Sequence, residues 1–160
     1  MSHDATPDSF AALGRVPSGL FILTARHDQR ETGMLASWVQ QCSFDPPQIV
    51  AAFAKDRWVL DWLAEGAALG VNVLGEGQKP LMSHFSKGFD PEESAFEGLE
   101  VKRDAHAAPM LLAAHAFLDC RVTQRCEVSD HVLIVGRVVS GVVLNDARPA
   151  THVRKSGKHY

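Results

Sequence analysis

Cysteine is scarce in this chain of 160 residues: Cys42, Cys120 and Cys126 are an odd count with no C-x-x-C pair. That argues against a disulfide framework and against a zinc site. Cys120 and Cys126 share strand parity, but six residues of strand separate them by roughly 20 Å. All three are expected to be reduced and mostly core-lining. Charge of one sign is also lacking. The formal net charge is −3, and the only basic cluster is the short tail Arg154-Lys155-Ser156-Gly157-Lys158, which reads as solvated surface. Nothing favours nucleic acid as a partner. No apolar run approaches the ~18 residues a membrane span needs. The start, Met1-Ser2-His3-Asp4, has neither the basic nor the apolar region of a secretory signal, so a cytoplasmic location is expected.

Motifs of protein-borne catalysis are missing too. No G-x-G-x-x-G follows a strand and no Walker-type glycine loop occurs, which disfavours a Rossmann site. The eight histidines show neither H-x-x-x-H nor H-E-x-x-H spacing, and no serine sits in a G-x-S-x-G elbow. No metal site is expected. Asp119 and Asp130 read as a strand and a turn acid with nothing linking them. If the chain is an enzyme, a cofactor carries the reaction.

What is present is mainly β. The composition is 46% hydrophobic and 22% charged, ordinary for a globular domain. One domain spanning 1–160 is expected at this length. Asp8 caps a short helix through Leu13 and Gly14, and Pro17-Ser18-Gly19 ends it. Leu20–Ala25 reads as a strand apolar on both faces, and His27–Gly33 as a hairpin turn. Met34–Phe44 is a second strand, stopped by Asp45-Pro46-Pro47, and Ile49–Ala54 a third. Arg57–Glu65 fits a helix with Val59, Trp62 and Leu63 on one face. Leu69–Leu74 returns as strand, and Lys79–Phe85 as a helix with Pro80 in its first turn. Ser86–Pro109 is a loop long enough to be functional or a lid. His115–Thr123 and His131–Leu144 are strands about a turn at Glu127–Asp130, with Gly136 and Gly141 as bulge or bend points. Six such strands with few helices suggest a closed antiparallel barrel.

Gly33–Pro47, G-M-L-A-S-W-V-Q-Q-C-S-F-D-P-P, resembles the flavin-contacting strand and turn of the flavin reductase-like, FMN-binding split-barrel family. The likeness extends in order along the chain. It takes in Ala12–Gly19, Ala54-Lys55-Asp56-Arg57, Val71-Asn72-Val73-Leu74, Gln78 with Phe85, Phe96-Glu97-Gly98-Leu99-Glu100, and the H…G…Y terminus from His152 to Tyr160. Within the family, G-M-L-A-S-W-V-Q-Q is especially similar to the flavin reductase domain fused to diflavin flavodiiron proteins. Leu35 and Ser37 stand where many members have Thr and Asn, and Gln40 and Gln41 where small hydroxyl residues are frequent.

The resemblance implies an antiparallel split β-barrel with a few peripheral helices. It implies FMN, with FAD as an alternative, and NAD(P)H as a co-substrate passing hydride to the flavin. Met34, Leu35, Ala36, Ser37 and Trp38 would lie along the isoalloxazine, though Trp38 equally suits a core. Gln40, Gln41 and Ser43 would reach the ribityl chain or phosphate, or stand as ordinary strand residues. Lys55, Asp56 and Arg57 precede a helix, where cations and free N–H groups together suit a phosphate; the bland alternative is a capped surface helix. Asn72 would bond flavin polar atoms or knit two strands, Phe85 would contact the flavin, and His152 would serve catalysis on the nicotinamide side. A homodimer is implied, with a monooxygenase or a flavodiiron-type protein as redox partner. An electron-transfer module and a non-enzymatic flavin carrier are the rival readings.

Overall fold

The structure, a computed structural model, describes residues 4–159; Met1–His3 and Tyr160, which figure in the reading of the two termini, lie outside the described residues. Helix α1 (Pro7–Leu13) starts two residues earlier than its sequence suggests. Thr6, not Asp8, is the N-cap, accepting from the Ser9 N–H at 3.3 Å, and Pro7 occupies the first turn where its missing donor costs nothing. Next come β1 (Ser18–Gly19), β2 (Phe21–His27), β3 (Arg30–Ala36), β4 (Val39–Phe44) and β5 (Pro47–Ala54). A 3-10 turn (Trp58–Trp62), β6 (Ala68–Val73) and α2 (Lys79–Ser86) follow. The chain closes with β7 (Val101–Lys102), β8 (Met110–Leu111), β9 (Ala116–Val128), β10 (His131–Val143) and β11 (Thr151–His152).

Seven strands form one antiparallel sheet in the order β3-β2-β6-β9-β10-β5-β4. Its two edge strands, β3 and β4, are consecutive in the chain, joined only by Ser37-Trp38. The sheet must therefore curl until its edges meet, yet no β3–β4 pairing closes it. That is a split barrel, with one strand more than the six expected. The difference arises at Met34–Phe44, where the expected single strand breaks at this corner. The β2–β3 turn also tightens to Asp28-Gln29, with Asp28 at φ 54°, so Arg30–Gly33 belong to a strand.

Strand β2 is buried on both faces, as its sequence requires. Leu23 and Ala25 enter the barrel core with Phe53, Leu69, Val71, Cys120 and Ile134; Ile22 joins a second core with Leu74, Phe85, Phe96 and Leu111. The second core lies under α2 and the segment 86–109, which packs onto the barrel through buried Ala95 and Phe96. Arg57–Glu65 forms the 3-10 turn instead of a helix. Val59, Leu60, Trp62 and Leu63 are all buried, so the apolar face expected of the helix is kept while the backbone takes the tighter 3-10 winding. In β10 the register slips at Val135/Gly136, as the glycine suggests, and again at Val138/Ser140, just before Gly141. Among the described residues no helix is long and apolar enough to cross a membrane.

Only Cys120 is buried; Cys42 and Cys126 are exposed, on ends of β4 and β9 that run past the core. Burial first, and then the charge of Asp119, push the Cys120 thiol up to about 12, against the opposing pull of Arg121. Alkylation of the native protein at about pH 8 is expected to modify two cysteines by mass spectrometry, and the third only in denaturant.

Glu31 ties the β2–β3 hairpin to the 86–109 segment. One oxygen accepts from Arg26 Nη2 at 2.6 Å, the other from Arg103 Nε at 2.7 Å. Burial pushes its pKa up, but the hydrogen bonds and charges of Arg103 and Arg26 outweigh this and hold it below 4.5. A carboxylate lowered on folding stabilises above its unfolded pKa, and the stability is lost as pH falls through the folded value. Glu31→Gln is expected to be less stable at neutral pH, and that deficit should shrink on acidification below about pH 4.5 in melting curves.

Candidate functional site

The corner at Ser37-Trp38 opens a cavity of about 420 Å³, within the range of small-molecule sites. Its floor is the end of β5, Ala52–Ala54; one wall is Met34–Trp38, another is α2 and the residues just after it, and His152 of β11 stands at the side. Strand β3 is a sheet edge, so one side of its backbone has no strand partner. Its N–H and C=O groups are available to a ligand's polar rim. Ser37 is 6% exposed, and its hydroxyl has no hydrogen-bond partner among the described residues.

The charges in the lining are of one sign. Arg57 and Lys87 both border the cavity and no carboxylate does. Neither cation forms an ion pair among the described residues; Lys87 Nζ instead lies 4.6 Å from the Phe89 ring centre. Leu20, Met34, Leu35, Phe53, Met82 and Phe85 make the remainder apolar. The arrangement suits a flat ligand with a polar edge and an anionic tail.

Two glycines shape these walls. A Cβ on Gly33 would meet Phe85 Cε1 at 2.7 Å, so α2 reaches β3 only because that position is bare. Gly88 has φ +75°, the left-handed turn that ends α2 and leaves Lys87 facing the cavity.

The cavity brings together Met34, Leu35, Ala36, Ser37, Trp38, Arg57, Phe85 and His152 from the expected set. Asp56 lies next door, in a cleft of about 120 Å³ that shares Met34, Arg57 and Gly88 with it. Lys55 is turned away, its Nζ 3.0 Å from Glu127. Gln40, Gln41 and Ser43 are on β4 beyond the corner and outside the lining; the Gln41 side chain donates to the Ser43 carbonyl at 3.2 Å. Asn72 is fully buried and knits strands: it donates to the Ile22 carbonyl at 3.1 Å and accepts from the Leu111 N–H at 2.8 Å. Lys87, Met82 and Leu20 also line the cavity and were not among the expected site residues. Lys87 had a legible signal, a cation between a helix end and a glycine.

Trp38 stands at the far side of the cavity, with the Arg154 guanidinium carbon 5.0 Å from its ring centre and His131 4.9 Å away. Among the described residues no three His, Cys, Asp or Glu side chains gather as metal ligands.

Residues 13–159 match the family model described as "Flavin reductase like domain". The chain is 39% identical over 151 residues to diflavin flavoprotein A 1 of Synechocystis sp., an alignment covering 93% of this chain and 26% of that protein. It thus spans about a quarter of the length of the curated relatives it matches. Among solved structures, an NADH:FAD oxidoreductase of Streptomyces globisporus superposes with a TM-score of 0.81 at 23% identity, covering 89% of this chain and 85% of that one. The styrene monooxygenase flavin reductase of Pseudomonas putida superposes with a TM-score of 0.75 at 26% identity, covering 89% and 90%.

Proposed function

Because the chain belongs to the flavin reductase-like family, we propose that it is an FMN-binding NAD(P)H:flavin oxidoreductase that supplies reduced flavin or electrons to a partner. The observation that carries the reading is the cavity itself: an open strand edge, the Ser37 hydroxyl on the lining, an apolar interior and two cations with no carboxylate. These residues fit FMN. The backbone of Ala36–Trp38 and the Ser37 hydroxyl match the pyrimidine edge, Met34, Leu35 and Met82 match the ring faces, and Arg57 with Lys87 match the phosphate. Held by these residues, FMN would supply two-electron redox chemistry toward a nicotinamide co-substrate. The chain's part would be to orient the two rings for transfer and to keep water out. His152, paired opposite Ser18 at the side of the cavity, orients the nicotinamide.

Further parts of the reading follow the family: one domain over 1–160, a homodimer, a cytoplasmic location, and a monooxygenase or flavodiiron-type protein as electron acceptor. One observation favours a second reading, an FMN-bound electron-transfer module. The relatives of higher identity are diflavin flavoproteins of which this chain covers about a quarter, so the domain could work beside a further flavin unit. Turnover separates the two. Purified protein with catalytic FMN is expected to oxidise NADH or NADPH and reduce excess flavin. Stopped-flow reduction should slow roughly tenfold or more in His152→Ala, with FMN affinity little changed. If neither nucleotide reduces the flavin but a protein reductant does, the electron-transfer reading replaces this one.

A further inference from the structure

Arg57 and Lys87 reach the cavity from two separate segments, and the two are not equally fixed. The Arg57 backbone is pinned on both sides. Its N–H donates to the Ala54 carbonyl at 3.1 Å, and its carbonyl accepts from the Leu60 N–H at 3.1 Å. Lys87 is the C-cap of α2, and the next residue is Gly88 at φ +75°. A glycine joint of that kind leaves the backbone around it many alternatives. Two cations engage one phosphate together only if their backbones keep a set spacing.

Trp58 supplies a tie between them. It follows Arg57 directly and opens the 3-10 turn, and its indole Nε1–H donates to the Phe89 carbonyl at 3.0 Å. Phe89 is two residues beyond Lys87 and carries the ring whose centre lies 4.6 Å from Lys87 Nζ. The bond thus joins the turn bearing Arg57 to the stretch bearing Lys87. The indole itself is well supported. It packs against the barrel core and meets Trp62 edge-on, with ring centres 4.9 Å apart and planes at 75°. Tryptophan suits the place because its ring is apolar while its N–H reaches a polar partner at the rim. The cleft of about 120 Å³ beside the main cavity runs between these groups, lined by Arg57, Trp58, Gly88 and Phe89 among others.

We propose that Trp58 is a positioning residue for the flavin phosphate: through the Phe89 carbonyl, its indole sets the separation of Lys87 from Arg57. The inference rests on the FMN reading. Trp58 is outside the lining of the main cavity, so its effect passes through the two cations. Setting their separation in advance removes part of the ordering cost that two exposed, rotamer-rich side chains carry on binding. Riboflavin has the same ring system and no phosphate, and its binding should not sense the tie.

The test is Trp58→Phe, which keeps a ring against Trp62 and removes the N–H. By fluorescence titration its Kd for FMN is expected to rise roughly 3–10-fold, with riboflavin affinity within about twofold of the parent. Lys87→Ala supplies the second arm. In that background Trp58→Phe should cost FMN nothing further, because no second cation remains to be positioned. Hydrogen exchange of the flavin-free protein reads the tie itself: amides of residues 86–90 should exchange faster in Trp58→Phe than in the parent. If the phenylalanine variant folds poorly, benzothienylalanine at position 58 replaces it in every arm, since it keeps the indole's shape with sulfur in place of the N–H. An equal loss for FMN and riboflavin, unchanged exchange at 86–90, or a full additional loss in Lys87→Ala would overturn the assignment. A parent that binds neither flavin sinks the FMN reading first, and the assignment with it. A parent that prefers FMN over riboflavin, with Trp58→Phe keeping the whole preference, sinks the assignment alone.

Discussion

Replacing Arg57 and Lys87 together by alanine is expected to weaken FMN binding by about 100-fold or more and to leave riboflavin binding nearly untouched. A hydrogen bond to a charged group contributes roughly 1.5–3 kcal/mol, so two such bonds to one phosphate amount to about 3 kcal/mol or more. That corresponds to ~150-fold in affinity. Coupling between neighbouring cations makes simple addition approximate. Both side chains are exposed and outside any ion pair among the described residues, so the fold should survive. Lys55→Ala is the matched control. Its amine is engaged by Glu127 away from the cavity, and its loss should leave FMN affinity within about twofold of the parent. Fluorescence titration with both flavins gives the answer. An equal loss for FMN and riboflavin would show that these cations act on the cavity's shape, not on a phosphate.

That experiment turns on Lys87, which sequence patterns alone passed over, and the reason is physical. Lys55-Asp56-Arg57 advertises itself as a charged turn after a strand, but its residues point to different places. Lys55 reaches across to the β9–β10 hairpin, while Arg57 stands beside the cavity. Lys87 comes from the far side of the chain's path, brought there by α2 packing on β3. Such a meeting depends on the closeness of two backbones. Its trace in sequence is two glycines, Gly33 and Gly88, neither of which is distinctive by itself.

Strands buried on both faces were legible because apolar residues at every position leave few alternatives, as in Ile22-Leu23. The corner between β3 and β4 was not. Ser37-Trp38-Val39 is as compatible with strand as its neighbours, and the break is imposed by the need to bring the barrel's edges together. The same corner explains why Gln40, Gln41 and Ser43 fall outside the cavity. With about 3.3 Å of rise per residue, β4 carries Ser43 some five residues beyond Trp38, along the opposite edge of the split. Asn72 shows the converse. Its residue type suits a ligand contact, but it lies on β6, between β2 and β9, where only protein groups are within reach.

Phe85→Ala is expected to lower stability by about 3–5 kcal/mol, the range for deleting a large buried aromatic side chain. Phe85 is 1% exposed and lies at the meeting point of the second core. Its ring contacts Phe89 at 5.8 Å and Phe96 at 6.0 Å between centres, and the bare Cα of Gly33 receives its edge. Removing it opens a void between α2 and β3, against the wall of the functional cavity. Against a total of about 5–15 kcal/mol for a domain, the variant should still fold, with a markedly lower midpoint in urea. Phe85→Leu fills much of the space and should recover more than half of the loss. Flavin binding supplies the discriminating readout. If α2 is held in place only by this contact, FMN affinity falls with stability in Phe85→Ala and returns in Phe85→Leu. If affinity in Phe85→Ala stays at the parent's value while the urea midpoint drops, the ring supports the core without setting the cavity wall.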